Sequence, residues 1–370
     1  MRRKNYLKYL IISLVVFTLI IVVISFRFNK QGRADQSGAI SALIDQVGMY
    51  ADKRQPPDQY LGTTVDMSQI LPESKYYVRN NKGEDIIAMS AKLGINTFRL
   101  TNIRPISPNR TSSSYSVDQW KKVLNNMKKR GIYAVIVVEA NNTDANFHKL
   151  SLDDYYIGFV KEYLISSGAC NFSNVVAVNI KNEPLLDENN LSKLKEASSL
   201  VKSNCPNTKI TIGSWRTYSG KKDEKGEPEY NWHDPKEVRQ IDDIVDIHSV
   251  HIYGFDKPKD GPYPDPYKLT IGYLNEIRKY TKKPILIEEF GAGNGSALTD
   301  QNTFGSEELQ KSVYDGVLKA THDQKNSNVI GALAYLLLPR SEGPEGWSIA
   351  RDNGNTLLPA AYTFKSYSNN

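Results

Sequence analysis

Eight short apolar runs, each followed by a longer amphipathic or polar stretch, most narrow what this chain can fold into. They are Tyr60 to Val65, Asn96 to Leu100, Tyr133 to Val138, Val175 to Ile180, Lys209 to Gly213, Ile247 to Ile252, Pro284 to Ile287 and Gly331 to Leu338. Their length and β-branched content suit strands covered on both faces, as in parallel sheets. The stretches between them carry helical spacing, among them Glu84 to Leu93, Val117 to Arg130, Asp153 to Ser166, Leu191 to Ser203, Leu269 to Tyr280 and Ser306 to His322. Repeated β/α units with no internal sequence repeat predict an α/β fold, a single (β/α)8 TIM barrel with enlarged loops. A doubly wound open sheet is the alternative, and the lack of a Gly-rich phosphate loop after the first run weighs against it.

The formal charge of +6 lies wholly within residues 1 to 30, where Arg2, Arg3, Lys4, Lys8, Arg27 and Lys30 stand with no acid. The rest of the chain is balanced and shows no basic stripe, which sets nucleic acid aside as a partner. Leu10 to Phe26 is uncharged and almost wholly apolar, and carried to Phe28 it approaches the roughly 20 residues that span a bilayer. Only Gly32-Arg33-Ala34 offers a cleavage site, and it is poorly placed, so residues 1–30 read as an uncleaved membrane anchor, with a cleaved signal segment as the alternative. Basic residues are denser before the run than after it, which predicts a cytoplasmic amino terminus and a single-pass protein with its large domain extracytoplasmic. Residues 31–57 form a tether and a short amphipathic segment (Ile40, Leu43, Ile44, Val47), and 58–370 the barrel domain. The two cysteines, Cys170 and Cys205, each precede a predicted strand, which puts them on neighbouring loops of the barrel's amino-terminal face. An external compartment permits a disulfide between them; two free thiols are the other reading.

Two of the runs stop abruptly at acids. Val175 to Ile180 continues into Lys181-Asn182-Glu183-Pro184, where Pro184, which lacks an N–H, ends the ladder and biases Glu183 towards extended backbone. Pro284 to Ile287 continues into Glu288-Glu289-Phe290-Gly291. Both acids therefore sit at the carboxyl ends of strands, the rim where barrel enzymes bind their ligands. Alternation along a strand lets only one of Glu288 and Glu289 point into the barrel. The long loops Trp215 to Gln240 and Gly254 to Lys268 are rich in aromatic residues, flat surfaces of the kind that stack on sugar rings.

Asn182-Glu183-Pro184 after the fourth strand and Glu289-Phe290-Gly291 after the seventh together resemble glycoside hydrolase family 5, the cellulase and mannanase group of clan A. The resemblance implies a retaining glycosidase acting on β-linked polysaccharide or oligosaccharide, with Glu289 as nucleophile and Glu183 as acid/base. It further implies that Arg99 pairs with the nucleophile, that Asn182 binds the sugar 2-hydroxyl, and that His251 and Tyr253 are the family's active-site histidine and tyrosine. The family pattern selects Glu289 over Glu288.

The chain departs from the pattern at two places. The third strand ends in Glu139-Ala140-Asn141 where many members carry a histidine, and Tyr335 stands where a tryptophan usually lies under the sugar. Trp347 in a later Gly-rich loop is the replacement platform to consider, and Glu139 and Trp215, after the fifth strand, join the substrate-binding candidates. No metal or cofactor is implied: His233, His248 and His251 lack zinc-ligand spacing, and there is no Gly-x-Ser-x-Gly elbow. The alternative function is a membrane-tethered carbohydrate-binding barrel that has lost catalysis.

Overall fold

All eight runs become strands. In the computed structural model, which describes residues 57–101, 115–138, 151–222, 228–255, 263–294, 305–325, 327–339 and 345–368, the strands are β1 (Tyr60–Asp66), β2 (Thr97–Thr101), β3 (Tyr133–Val137), β4 (Val175–Asn182), β5 (Lys209–Gly213), β8 (His248–Ile252), β9 (Ile285–Phe290) and β10 (Val329–Ala334). They pair in parallel, in that order, and β10 closes on β1 to make a barrel. Every residue of β2, β8 and β9 is buried, as expected of strands walled by helices outside and side chains inside.

The helices begin where the sequence supplies caps. Ser116 and Gln119 form a reciprocal capping box ahead of Val117–Lys129, and Ser306 accepts from the Leu309 N–H to start Glu307–Asp323. At Gly131 the chain turns from helix to β3 with φ 71°, a conformation that costs glycine little.

One element differs from the sequence reading. The loop after β5 contains an antiparallel hairpin, β6 (Arg216–Lys222) with β7 (Pro228–Trp232). Its strands, Arg-Thr-Tyr-Ser-Gly-Lys-Lys and Pro-Glu-Tyr-Asn-Trp, lack apolar alternation because they stand away from the core, so periodicity gives no sign of them.

The barrel interior is layered. Val135, Ala177, Ile247, Leu286 and Leu333 form an apolar cluster at the floor, the amino-terminal end of the strands. The cluster roofs a hollow of about 450 Å³ that is lined also by Tyr60, Lys209, Asp246 and Lys283. Outside the barrel at the same end, Cys170 and Cys205 are joined, their Cα atoms 5.8 Å apart. The apolar run at 10–28 lies outside the described residues, and among those described no helix is long and apolar enough to cross a membrane.

Candidate active site

The opposite end of the barrel is charged. β4 delivers Asn179, Asn182 and Glu183; β2 delivers Arg99; β8 delivers Ser249, His251 and, just past its end, Tyr253; β9 delivers Glu288 and Glu289. Gly213 on β5 makes room for this strand end, since a Cβ there would sit 2.3 Å from Asn179 Nδ2 and 2.5 Å from Asn182 Oδ1.

Glu183 is not extended, despite the bias that Pro184 imposes. Its φ is 45°, in the left-handed region, where an L-residue other than glycine, asparagine or aspartate costs about 1–2 kcal/mol. The start of the β6–β7 hairpin holds it there. Its N–H donates to the Gly213 carbonyl at 2.7 Å, Arg216 N–H donates to the Pro184 carbonyl at 2.9 Å, and Arg216 Nε donates to the carbonyl of Glu183 itself at 2.9 Å. These long-range contacts override the local preference, and the carboxyl is carried to within 2.8 Å of His251 Nδ1.

The alternation rule fails at the second acid. The register of β8 against β9 shifts between Val250, paired with Ile287, and His251, paired with Glu289. Glu288 is the extra residue of this bulge, and both carboxylates reach the same arginine. Arg99 Nε lies 2.9 Å from Glu288 and Nη1 lies 2.8 Å from Glu289, while Nη2 donates to Asn182 Oδ1 at 2.7 Å. Asn179 Nδ2 donates to Glu288 at 2.5 Å, and Ser249 Oγ also donates to it. The Glu288 side chain is wholly inaccessible and that of Glu289 is 10% exposed, so only Glu289 can meet a ligand.

The two accessible acids are bridged. His251 Nδ1 is 2.8 Å from Glu183 and 3.6 Å from Glu289. Tyr253 donates to Glu289 Oε2 at 2.8 Å, and burial raises its phenol far enough to keep that proton in place. Burial works to raise the carboxyl of Glu183, but the hydrogen bond and charge of His251, helped by His233 and Arg216, outweigh it and hold Glu183 below the usual range. His251 responds in the opposite sense: burial opposes its charge, yet Glu289 and Glu183 together raise it. The two shifts favour the pair's shared proton on the imidazole, whereas a general acid must present it on the carboxyl.

Among the described residues, Glu183, His251 and Glu289 also offer ligand atoms within 4.8 Å of one another, close enough to share a cation. Arg99 and Tyr253 already occupy the oxygens of Glu289, and the guanidinium places a fixed positive charge beside any ion that entered. The arrangement suits proton exchange better than metal binding.

The remaining candidates divide. Tyr335 and Trp347 are half-buried, with rings 6.4 Å apart, and Trp347 stands edge-on at 5.6 Å to Tyr253, the residue that holds Glu289. Gly291 permits this closeness, because a Cβ there would lie 3.2 Å from the Trp347 ring. Trp215 is fully buried and donates through Nε1 to the Asp234 carbonyl, which makes it a brace for the hairpin in place of an open platform. Glu139 and Asn141 lie outside the described residues. Four residues escaped the sequence reading: Asn179, Ser249, Arg216 and His233. The first two are visible as polar residues inside otherwise apolar runs, where burial demands a partner. His233, hydrogen-bonded through Nδ1 to Ser214, lies with its ring tilted against that of His251, 5.7 Å away. Nothing in its local sequence marks it.

A closed (β/α)8 barrel with two carboxyl groups converging at the carboxyl ends of β4 and β9 has the parts that hydrolysis of a glycosidic bond requires. The cellulase family model, glycosyl hydrolase family 5, matches residues 62–326, and the chain belongs to that family. It is accordingly a glycosidase whose substrate is a polysaccharide or oligosaccharide. Similar solved structures include the Ignisphaera aggregans GH53 catalytic domain, at 16% identity and TM-score 0.57 over 85% of this chain and 97% of that one. XacCel5A is similar at 13% identity and TM-score 0.55 over 84% and 98%. A β-glucuronidase of an uncultured Clostridium sp. matches at 18% identity and TM-score 0.55, over 85% of this chain and 50% of that one. At these identities the structures support the fold alone. No curated protein sequence matches the chain.

Proposed function

We propose that the protein is a retaining β-glycosidase of endo-glucanase or mannanase type, working by double displacement with Glu289 as nucleophile and Glu183 as acid/base. The observation that carries this reading is the closeness of the two acids, with carboxylate oxygens within 4.8 Å of each other. Retaining enzymes keep their carboxyl groups about 5–5.5 Å apart, whereas inverting enzymes need about 6.5–9.5 Å to admit a water between acid and base.

In the first step a Glu289 oxygen attacks the anomeric carbon, the glycosidic C–O bond breaks, and the leaving oxygen takes a proton from Glu183. Glu289 surrenders its negative charge as the ester forms, which removes one of the two neighbours that keep His251 charged. The proton held on Nδ1 then moves the short distance to Glu183 as the leaving oxygen needs it. In the second step Glu183 takes a proton from water, the water attacks the same carbon, and Glu289 is released with net retention. Arg99 and Tyr253 hold the nucleophile's two oxygens throughout, and Asn182, itself fixed by Arg99, faces the sugar 2-hydroxyl.

Tyr335 in place of the usual tryptophan, with Trp347 at its edge, implies a cleavage subsite of altered shape, which is where the choice of sugar would be made. The intact acid pair, arginine and His-x-Tyr weigh against a barrel that only binds carbohydrate. The apolar run at 10–28 and its flanking charges further imply a tethered enzyme facing the cell surface, with secretion after cleavage as the alternative. One experiment addresses both statements. Carbonate-washed membranes carrying the full-length protein are incubated with barley β-glucan, mannan and their oligosaccharides, and the first-formed reducing ends are read by proton NMR. The β-anomer should appear first, from the membrane fraction. Initial release of the α-anomer, or binding without hydrolysis across the panel, would refute the mechanism, and activity confined to the soluble fraction would refute the tether.

A further inference from the structure

Glu288 has no part in the double displacement, yet it is a wholly buried carboxylate at the centre of the barrel beneath the nucleophile. Three donors converge on its two oxygens: Arg99 Nε at 2.9 Å, Asn179 Nδ2 at 2.5 Å, and Ser249 Oγ. They come from β2, β4 and β8, which the bulge at Glu288 allows a single side chain to reach. An ion-pair network in such a place is expensive to desolvate, and an apolar residue would fill the space at lower cost.

We propose that Glu288 is a positioning residue that shares Arg99 with the nucleophile, fixing the aim of the guanidinium and withholding part of its positive charge from Glu289. Held at Nε by Glu288, the guanidinium can present only Nη1 to Glu289 and Nη2 to Asn182, which ties the nucleophile and the 2-hydroxyl ligand to one rigid plane. The charge effect has a definite sign. One guanidinium set against two carboxylates leaves Glu289 richer in electron density than a private ion pair would, and that favours attack on the anomeric carbon. The other charged or titratable groups facing this cluster are Glu183 past the end of β4, Arg216 and His233 after β5, His251 and Tyr253 at the end of β8, and Tyr335 after β10. None of them contacts Glu288 in the structure's hydrogen bonds, so a change confined to Glu288 reaches Glu289 through Arg99 and by direct repulsion.

The inference rests on the glycosidase reading for its catalytic consequence and not for its electrostatic one, so two measurements are needed. The first uses protein labelled with ¹³C at the glutamate carboxyl, with the Glu289 signal identified by its loss in Glu289→Gln. In Glu288→Gln the Glu289 signal should titrate about one pH unit lower than in the wild type, the scale expected when a charge within a few ångströms is removed. Glu288→Asp, which keeps the charge, should restore the wild-type midpoint. Ser249→Ala, which makes Glu288 lean harder on Arg99, should move it the other way. The second follows kcat/KM on 2,4-dinitrophenyl β-cellobioside, whose acid limb should move by the same amount and in the same direction in each variant. An unmoved Glu289 titration in folded Glu288→Gln would overturn the proposal, as would shifts of the same sign in Glu288→Gln and Ser249→Ala. If Glu288→Gln does not fold, Ser249→Ala decides it: a midpoint raised above wild type, beside an unmoved one in Glu288→Asp, keeps the proposal, and an unmoved or lowered one overturns it. A wild-type protein that ignores every aryl glycoside defeats the glycosidase reading, while the NMR titration still decides the role of Glu288.

Discussion

The two ends of this barrel are built from the same strands and obey different rules. Along β9, Leu286 joins Val135, Ala177, Ile247 and Leu333 in an apolar floor, while two and three residues further on Glu288 and Glu289 carry the charge of the lip. Register shifts occur at both ends. Backbone strain does not: the left-handed residues at the lip include Glu183 and Ser214, which tolerate that region poorly, whereas the floor has Asn328, which adopts it readily. The difference teaches that the floor supplies the stability against which the lip's strained, like-charged arrangement is held. A chain of ordinary stability can hold two carboxylates together only if the layer beneath them is packed.

The sharpest way to break that contrast is to cut each end of β9. Glu289→Ala should lower kcat/KM by on the order of 10⁴-fold or more, the scale of losing a group that acts as part of a catalytic unit, and should leave the melting temperature unchanged or raised, since a like charge is relieved. Leu286→Ala should lose about 2–5 kcal/mol of stability, the cost of a core cavity, and keep wild-type kcat at temperatures where it remains folded. Urea melts and initial rates on one aryl glycoside suffice. A Leu286→Ala protein that is folded and inactive, or a Glu289→Ala protein that unfolds, would show that the two ends are not separable.

The same contrast decides what was legible in the sequence. The floor follows from side-chain type alone, because burial on both faces selects β-branched runs, and every barrel strand follows on that basis. The lip was legible where a residue stands at a strand end in a recognisable order, as with Glu183, Glu289, Arg99 and the His251 to Tyr253 pair. It was not legible where long-range contacts override local preference. Pro184 favours an extended Glu183, and the β6–β7 hairpin turns it left-handed. Strand alternation turns Glu288 outwards, and the bulge turns it in. Trp215 reads as a substrate-binding residue because exposure cannot be read from residue type, and the Asp234 carbonyl takes its one donor. His233 reaches the site only because the hairpin folds back over it.

A second test acts on the floor alone. Replacing Cys170 and Cys205 by serine releases a link that spans 35 residues of sequence, and chain entropy assigns such a loop roughly 3–4 kcal/mol. The floor reading expects that loss at every pH between 5 and 8, with kcat at 25 °C unchanged. Activity falling in step with the bond, in protein still folded, would mean that the floor's geometry is transmitted to the lip.

The smallest effect sharpens the comparison because it is confined to the lip and to one pH window. His233 is depressed to about 4, by burial first and then by the charge of His251, with Glu183 acting against them. The unfolded chain binds a proton on this residue near pH 6.5 while the folded chain resists it, so the unfolded state holds more protons between those values. The contribution is therefore fully present above about pH 6.5, declines as pH falls, and is exhausted near pH 4, for a total of at most about 3 kcal/mol. His251, whose ring lies 5.7 Å away, has the opposite sign: it is raised, so its contribution is present below its unfolded value and is lost as pH rises through the folded one. Replacing His233 by asparagine removes the first contribution and leaves that of His251. Stability measured by urea at pH 7, 5.5 and 4.5 should then fall less steeply towards acid than in the wild type, whereas the double serine variant should run parallel to it. Parallel curves for all three proteins would mean that His233 takes up its proton in the folded state as freely as in the unfolded chain, and that the hairpin does not seal the acid side of the lip.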